Sequence, residues 1–171
     1  MDLERALAKT LLKDENLEKI EPRVRPQNPA CHWARPILME RAAYLKEMAR
    51  FGDGSASEIV REFPGHFAML LFRSRSGEAE IDAKHAHLLV VLGGAATLVT
   101  GGKVKGARAM GPDETRGDSI EDGTEQPLRP GDVAHVPAGV PRQLLLTGEQ
   151  TISCFVMKME WLEEEKNRKR S

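Results

Sequence analysis

Residues 80–102 read EIDAKHAHLLVVLGGAATLVTGG, and this stretch decides the fold. It opens with acids and two histidines, His85 and His87, one residue apart. The apolar run 88–92 follows at once, Gly93-Gly94 breaks it, and a second apolar segment, 95–99, ends at Gly101-Gly102. Two short apolar segments split by glycines are the pattern of paired strands. Polar, metal-competent side chains leading into such strands place a site at the mouth of a β-barrel.

Outward from this stretch, residues 57–63 and 66–73 read as strands. In the second, Phe67, Met69 and Leu71 alternate with Ala68, Leu70 and Phe72. Both faces are apolar, which predicts a strand covered on both sides. Downstream, 103–126 is mostly polar and carries Gly106, Gly111, Pro112, Gly117 and Gly123. It reads as a long loop, the kind that serves as a lid or stays solvated. Arg108, Glu114 and Arg116 lie within it, within reach of a site or simply solvated. Residues 133–136, 142–146 and 151–158 complete the strands, with turns at 130–132 and 137–141.

The N-terminal part reads differently. Leu3, Ala6, Leu7 and Leu11 form one stripe of a helix over 2–13. Pro22, Pro26, Pro29 and Pro36 make 21–36 an extended connector. Cys31, His32 and Trp33 within it are read as packing residues rather than ligands. A second helix over 37–50 has Leu38, Ala42, Leu45 and Ala49 on one face, and Gly52-Asp53-Gly54 ends it. A charged helix over 160–170 is expected at the C-terminus, with Glu164–Arg168 and Glu165–Lys169 at supportive spacing. The expected organisation is a helical extension with a Pro-rich connector (1–56), a β-barrel (57–159) and the charged helix (160–171).

Composition narrows the function classes. The 171 residues make one domain the natural size, able to bury roughly 70% of the unfolded chain's surface. With 25 basic and 26 acidic residues and 5% aromatics, the chain has neither the clustered positive charge nor the stacking platforms of a nucleic-acid binder. No run approaches the ~20 apolar residues of a membrane span. The first residues, MDLERALAKTLLKDE, have no apolar signal core, so a soluble cytoplasmic protein is expected. Cys31 and Cys154 are then expected to be free thiols, Cys154 buried in a strand.

The residues 131–142, GDVAHVPAGVPR, resemble the second conserved motif of cupins. That motif runs glycine, five residues, Pro-x-Gly, two residues, histidine. Gly131, Pro137 and Gly139 match it, and Arg142 stands where the histidine is expected. Residues 90–102 resemble the back half of the first cupin motif. The resemblance covers about 67–158 and implies an all-β, double-stranded β-helix: a cupin jelly-roll barrel, here with an N-terminal helical extension and a short C-terminal helix.

Cupins hold a divalent metal through two histidines and a glutamate of the first motif and the histidine of the second. Two registers carry this over. One sets His85 and His87 on the histidine pair, which strands the glutamate position near Leu92 and spoils the glycine spacing. The other anchors on Gly94. It sets His87 on the glutamate, Asp82 on the second histidine and Glu80 on the first. Turn glycines and strand register shift less readily than single side chains, so the second is preferred. The implied metal set is then Glu80, Asp82 and His87, with His85 on the same strand face as a substitute ligand. The ion would be Mn, Fe, Ni or Zn. Arg142 cannot ligate, and is expected to pair with an acid or clamp an anionic ligand. His135 is a candidate acid or base, and His66 is read as structural.

Two functions follow from the resemblance. One is a metal-dependent enzyme acting on a small anionic or oxygen-rich organic substrate, of dioxygenase, isomerase or lyase type. The other is a metal-free cupin that binds a small ligand or serves as a dimeric, non-catalytic scaffold. Cupins commonly pair barrels, so a homodimer is expected, with no nucleic-acid or membrane partner.

Overall fold

The computed structural model describes residues 30–161. The helix predicted over 2–13 lies outside them, as does all but the start of the one over 160–170. Glu160 itself is the last residue of a strand rather than the first of a helix.

The unit from Ala34 onward begins with one helix, α1 (Arg35–Ala49), whose first turn holds Pro36, where a missing N–H costs nothing. Ala42, Leu45 and Ala49 are its buried face. Leu45 and Ala49 pack on Leu70 and Phe72, with Leu38, Val60, Leu92 and Phe155 alongside. Burial of a leucine such as Leu45 contributes about 2 kcal/mol. Arg41 and Glu58 tie the helix to the first strand, with Arg41 Nε donating to Glu58 at 2.9 Å.

Strands β1 (Ser55–Phe63), β2 (His66–Arg73), β3 (Ala79–Asp82), β4 (His85–Gly94) and β5 (Ala96–Thr100) run to the middle of the chain. The returning strands are β10 (Thr124–Leu128), β11 (Val133–Val136), β12 (Arg142–Leu145) and β13 (Ile152–Glu160). Their pairing is nested and antiparallel: β5 with β10, β4 with β11, β3 with β12 and β2 with β13. The chain is therefore one long hairpin whose successive pairs alternate between two sheets. Rolling it up adds the contacts β4·β13 and β5·β12. The sheets run β1-β2-β13-β4-β11 and β10-β5-β12-β3, the second continued beyond β3 by β8 (Glu114–Gly117) and β7 (Arg108–Ala109). This is the strand order of a double-stranded β-helix.

Between the sheets lies the main core, with Leu89, Val91, Leu98, Leu128, Val136, Ile152, Cys154 and Val156 buried. The two-faced apolar pattern of β2 has a direct cause. Ala68, Leu70 and Phe72 are buried on the outer face, where α1 covers Leu70 and Phe72, while Met69 and Leu71 turn inward against the core. Gly94 (φ 77°) ends β4 where a Cβ would run into the Thr151 carbonyl oxygen, so only glycine allows β13 to approach there.

The segment 103–126 corrects the expectation of a loop. It forms β6 (Lys103–Lys105), β7 (Arg108–Ala109), β8 (Glu114–Gly117) and β9 (Ser119–Glu121), then enters β10. Strands β6 and β9 pair with each other, while β8 joins the edge of the second sheet beside β3 and β7 joins β8. Gln143, buried in β12, fastens the insertion by donating to the carbonyls of Gly77 and Asp118 at 2.9 and 3.2 Å. Among the described residues neither cysteine is in a disulfide; Cys31 is exposed and Cys154 buried, and burial pushes the Cys154 thiol up to about 12. No helix among the described residues is long and apolar enough to cross a membrane.

Candidate functional site

Glu80 lies between two arginines on neighbouring strands. It is directly opposite Arg142 across β3·β12 and opposite Arg116 across β3·β8. The register creates the contacts: Arg142 Nη2 reaches Glu80 Oε1 at 2.7 Å, and Arg116 Nη2 lies 3.7 Å from the same oxygen. Arg116 also holds Glu114, two residues along its own strand, at 2.5 Å. Arg142 is only 9% exposed, so its charge needs this carboxylate.

Asp82 is the second hub. Its Oδ1 accepts the backbone N–H groups of Lys84 (3.2 Å) and His85 (2.9 Å), closing the turn into β4. His85 Nδ1 reaches the same oxygen at 3.1 Å. His87 Nε2 donates to Oδ2 at 2.9 Å, and Lys158 Nζ of β13 donates to it at 3.2 Å. The Asp82 carbonyl also accepts from Gly139 N–H at 2.8 Å, which anchors the 137–140 turn. Asp82 and His87 are both buried.

The charge states follow from these contacts. Burial opposes ionisation of Asp82, but hydrogen bonds from His87 and His85 and the Lys158 ammonium outweigh it and hold the carboxyl well below the usual range. Glu80 is likewise lowered, burial being overcome by Arg142, Arg116 and Lys158. Burial, with Arg142 and Lys158 nearby, pushes His87 down to about 4 despite Asp82, so the imidazole is neutral at pH 7. With its Nε2–H given to Asp82, the neutral ring carries its lone pair on Nδ1. A carboxylate-oriented neutral imidazole can accept a proton.

His87, Glu80 and Arg142 line one cavity of about 180 Å³ between the sheets. Arg73 of β2, Arg116 of β8 and Lys158 of β13 line it too, with Met69, Leu71, Leu89 and Val156 as apolar wall. Sequence reasoning passed over Arg73 and Lys158 as site residues. Both were within reach of period-two parity: Arg73 shares the face of Met69 and Leu71, and Lys158 that of Cys154 and Val156. Arg116, noted only as a loop charge, depends on the pairing of β8 with β3, which no local pattern announces.

The Gly94 register brings Glu80, Asp82, His87 and Arg142 to one region. Of the residues named as a metal set, Asp82, His85 and His87 come together as hydrogen-bond partners, while Glu80 is held by Arg142 and Arg116. Among the described residues no group of three or more His, Cys, Asp or Glu side chains is disposed to hold a metal ion. Both Asp82 oxygens are taken by imidazoles, amides and an ammonium, and Glu80 by guanidinium groups. A divalent ion would also meet the four cations of this cavity. Near a protein surface two unit charges ~4 Å apart interact by about 4 kcal/mol. These residues do not fit a metal.

His135 is not part of this cavity. Its side chain is exposed on β11 and lines a separate cavity of about 470 Å³ together with Leu98, Thr100, Val133 and Val140. Parity explains it: Ala134 and Val136 point inward, so His135 points out. His66 stacks on Phe63 with ring centroids 4.6 Å apart, in keeping with a structural part.

No protein-family model matches the chain, and no curated protein matches it. Solved structures do. A protein of Neisseria meningitidis aligns with TM-score 0.49 and 16% identity, over 71% of this chain and 95% of that one. A Cupin 2 conserved barrel domain protein of Salinispora arenicola aligns with TM-score 0.45 and 13% identity, over 70% and 87%. KdgF of a Halomonas species aligns with TM-score 0.44 and 15% identity, over 67% and 87%. The fold itself rests on the nested strand pairing and on the glycine turns at Gly94, Gly131 and Gly139, all three at positive φ. The chain has a double-stranded β-helix fold, the fold that its resemblance to cupins implies.

Proposed function

We propose that this protein is a metal-free cupin whose barrel cavity binds a small organic anion. One observation carries the reading: four cationic side chains, Arg73, Arg116, Arg142 and Lys158, line a cavity that carries only two carboxylates, Glu78 and Glu80. Arg142 is buried and the other three are partly buried, surroundings in which a cation favours an anionic partner, and a guanidinium presents the planar fork that a carboxylate matches. The volume of 180 Å³ sets the size. At about 30 Å³ per water, it holds a molecule of roughly six to eight heavy atoms.

The test is calorimetric titration of the protein in chelator-treated buffer with butyrate, pyruvate, succinate and inorganic phosphate. The expected result is saturable binding of at least one of them, one molecule per chain, competed by chemically similar members. Absence of heat and of any thermal shift with all four at millimolar concentration would overturn the reading.

A further inference from the structure

We infer that Arg73 is the anchor for the carboxylate of the bound molecule, and that this molecule is a short-chain monocarboxylic acid with an apolar tail. The inference rests on the anion-binding reading above and names its ligand class.

Of the four cavity cations, three already hold a carboxylate. Arg142 holds Glu80 at 2.7 Å, Arg116 holds Glu114 at 2.5 Å, and Lys158 holds Asp82 at 3.2 Å. Among the described residues no ion pair within 4.0 Å reaches Arg73, although Glu80, Asp53 and Glu78 are near enough to be felt. Its guanidinium is half-buried, and that burial pulls it below its ordinary value. A desolvated cation without a partner is costly, and a ligand carboxylate relieves the cost.

The surroundings are built for this head group. A Cβ added at Gly77 would lie 3.0 Å from Nη1 of Arg73 and 3.1 Å from Cζ, so the glycine leaves the guanidinium its space. Gly77 is itself fixed on both sides: its N–H donates to the Leu144 carbonyl at 2.9 Å, and its carbonyl accepts from Gln143 Nε2 at 2.9 Å. Its backbone is not in the left-handed region, so another residue is tolerated there conformationally.

One unpartnered cation matches one negative charge. A dicarboxylate would have to break the Glu80–Arg142 pair. Beyond Arg73 on the same strand face lie Met69 and Leu71, with Leu89 and Val156 across the cavity. An acid bound at Arg73 therefore meets apolar wall along its chain, which favours butyrate or 3-methylbutanoate over hydroxylated or doubly charged acids of the same length.

The experiment titrates wild type, Arg73→Met, Gly77→Val and Arg142→Gln with butyrate, 3-methylbutanoate, succinate and inorganic phosphate, with melting temperatures recorded. Loss of an anchoring charge-assisted hydrogen bond weakens binding roughly ten- to hundredfold. That loss is expected for butyrate with Arg73→Met, and with Gly77→Val, which displaces the guanidinium while leaving it charged. Arg73→Lys serves if Arg73→Met fails to fold, and should weaken binding less. Binding unchanged in Arg73→Met and Gly77→Val, but lost in Arg142→Gln, would overturn this anchor and leave the anion-binding reading standing. Succinate or phosphate binding more tightly than butyrate would overturn the monocarboxylate class. No binding of any anion to wild type would overturn the underlying reading as well.

Discussion

Arg142→Met should lower the melting temperature by about 10 °C. The arginine is 9% exposed and sits 2.7 Å from Glu80, whose side chain is 16% exposed. Removing one partner of a buried pair costs about 3–5 kcal/mol, mostly because the other charge is left behind. Glu80 keeps Arg116 at 3.7 Å, which sets the loss at the lower end. At ~3 °C per kcal/mol for a domain of this size, about 3 kcal/mol gives the stated shift. Glu80→Gln combined with Arg142→Met should recover most of it, since neither member of the pair is left charged. Thermal unfolding of the two variants measures both. Equal melting temperatures for Arg142→Met and wild type would mean that the pair does not form.

Acid should destabilise the fold before its carboxylates titrate, and His87 is the reason. Its ordinary value is 6.5 and the fold pushes it down to about 4. Between those values the unfolded chain binds a proton that the folded chain refuses. Stability therefore falls as pH drops from 6.5 to 4, and is unaffected by this group above 6.5. One proton refused across that interval costs about 1.4 kcal/mol for each step of one in pH, so the loss is about 3 kcal/mol. Asp82 adds a second acid limb. Its lowered carboxyl contributes stability that is complete above about pH 4 and is lost as pH falls further. His87→Gln keeps an N–H for Asp82 but cannot titrate. Urea unfolding across pH 4–7 should therefore show the variant's slope reduced by about one proton. An unchanged slope would mean that His87 is not the group responsible.

The parts of this site that were legible in the sequence depend on backbone. Gly94 must be glycine because β13 passes against it, so counting from Gly94 assigned Glu80, Asp82 and His87 to their strand positions. Gly131 and Gly139 did the same for Arg142, through turns that need positive φ. Parity placed His85 and His87 on one face, and both reach Asp82. Residue type alone cannot say which carboxylate meets which cation. Lys158 closes on Asp82 through a contact 76 residues distant. Arg116 reaches Glu80 only because β8 extends the sheet, and a segment rich in glycine and charge reads as loop until that pairing is known. Asp82 and Glu80 were expected to share one ion, yet each has its own nearest partners, Arg142 and Arg116 for Glu80 and His87, His85 and Lys158 for Asp82.

That separation is the central claim, and metal content tests it most directly. The protein should be produced with Mn, Fe, Ni and Zn in the medium, purified without chelator, and measured by elemental analysis. Bound metal is expected to fall far below one ion per chain, with no uptake when any of the four is added back. A full equivalent of one metal, lost on replacing Asp82 or His87 by alanine, would contradict it.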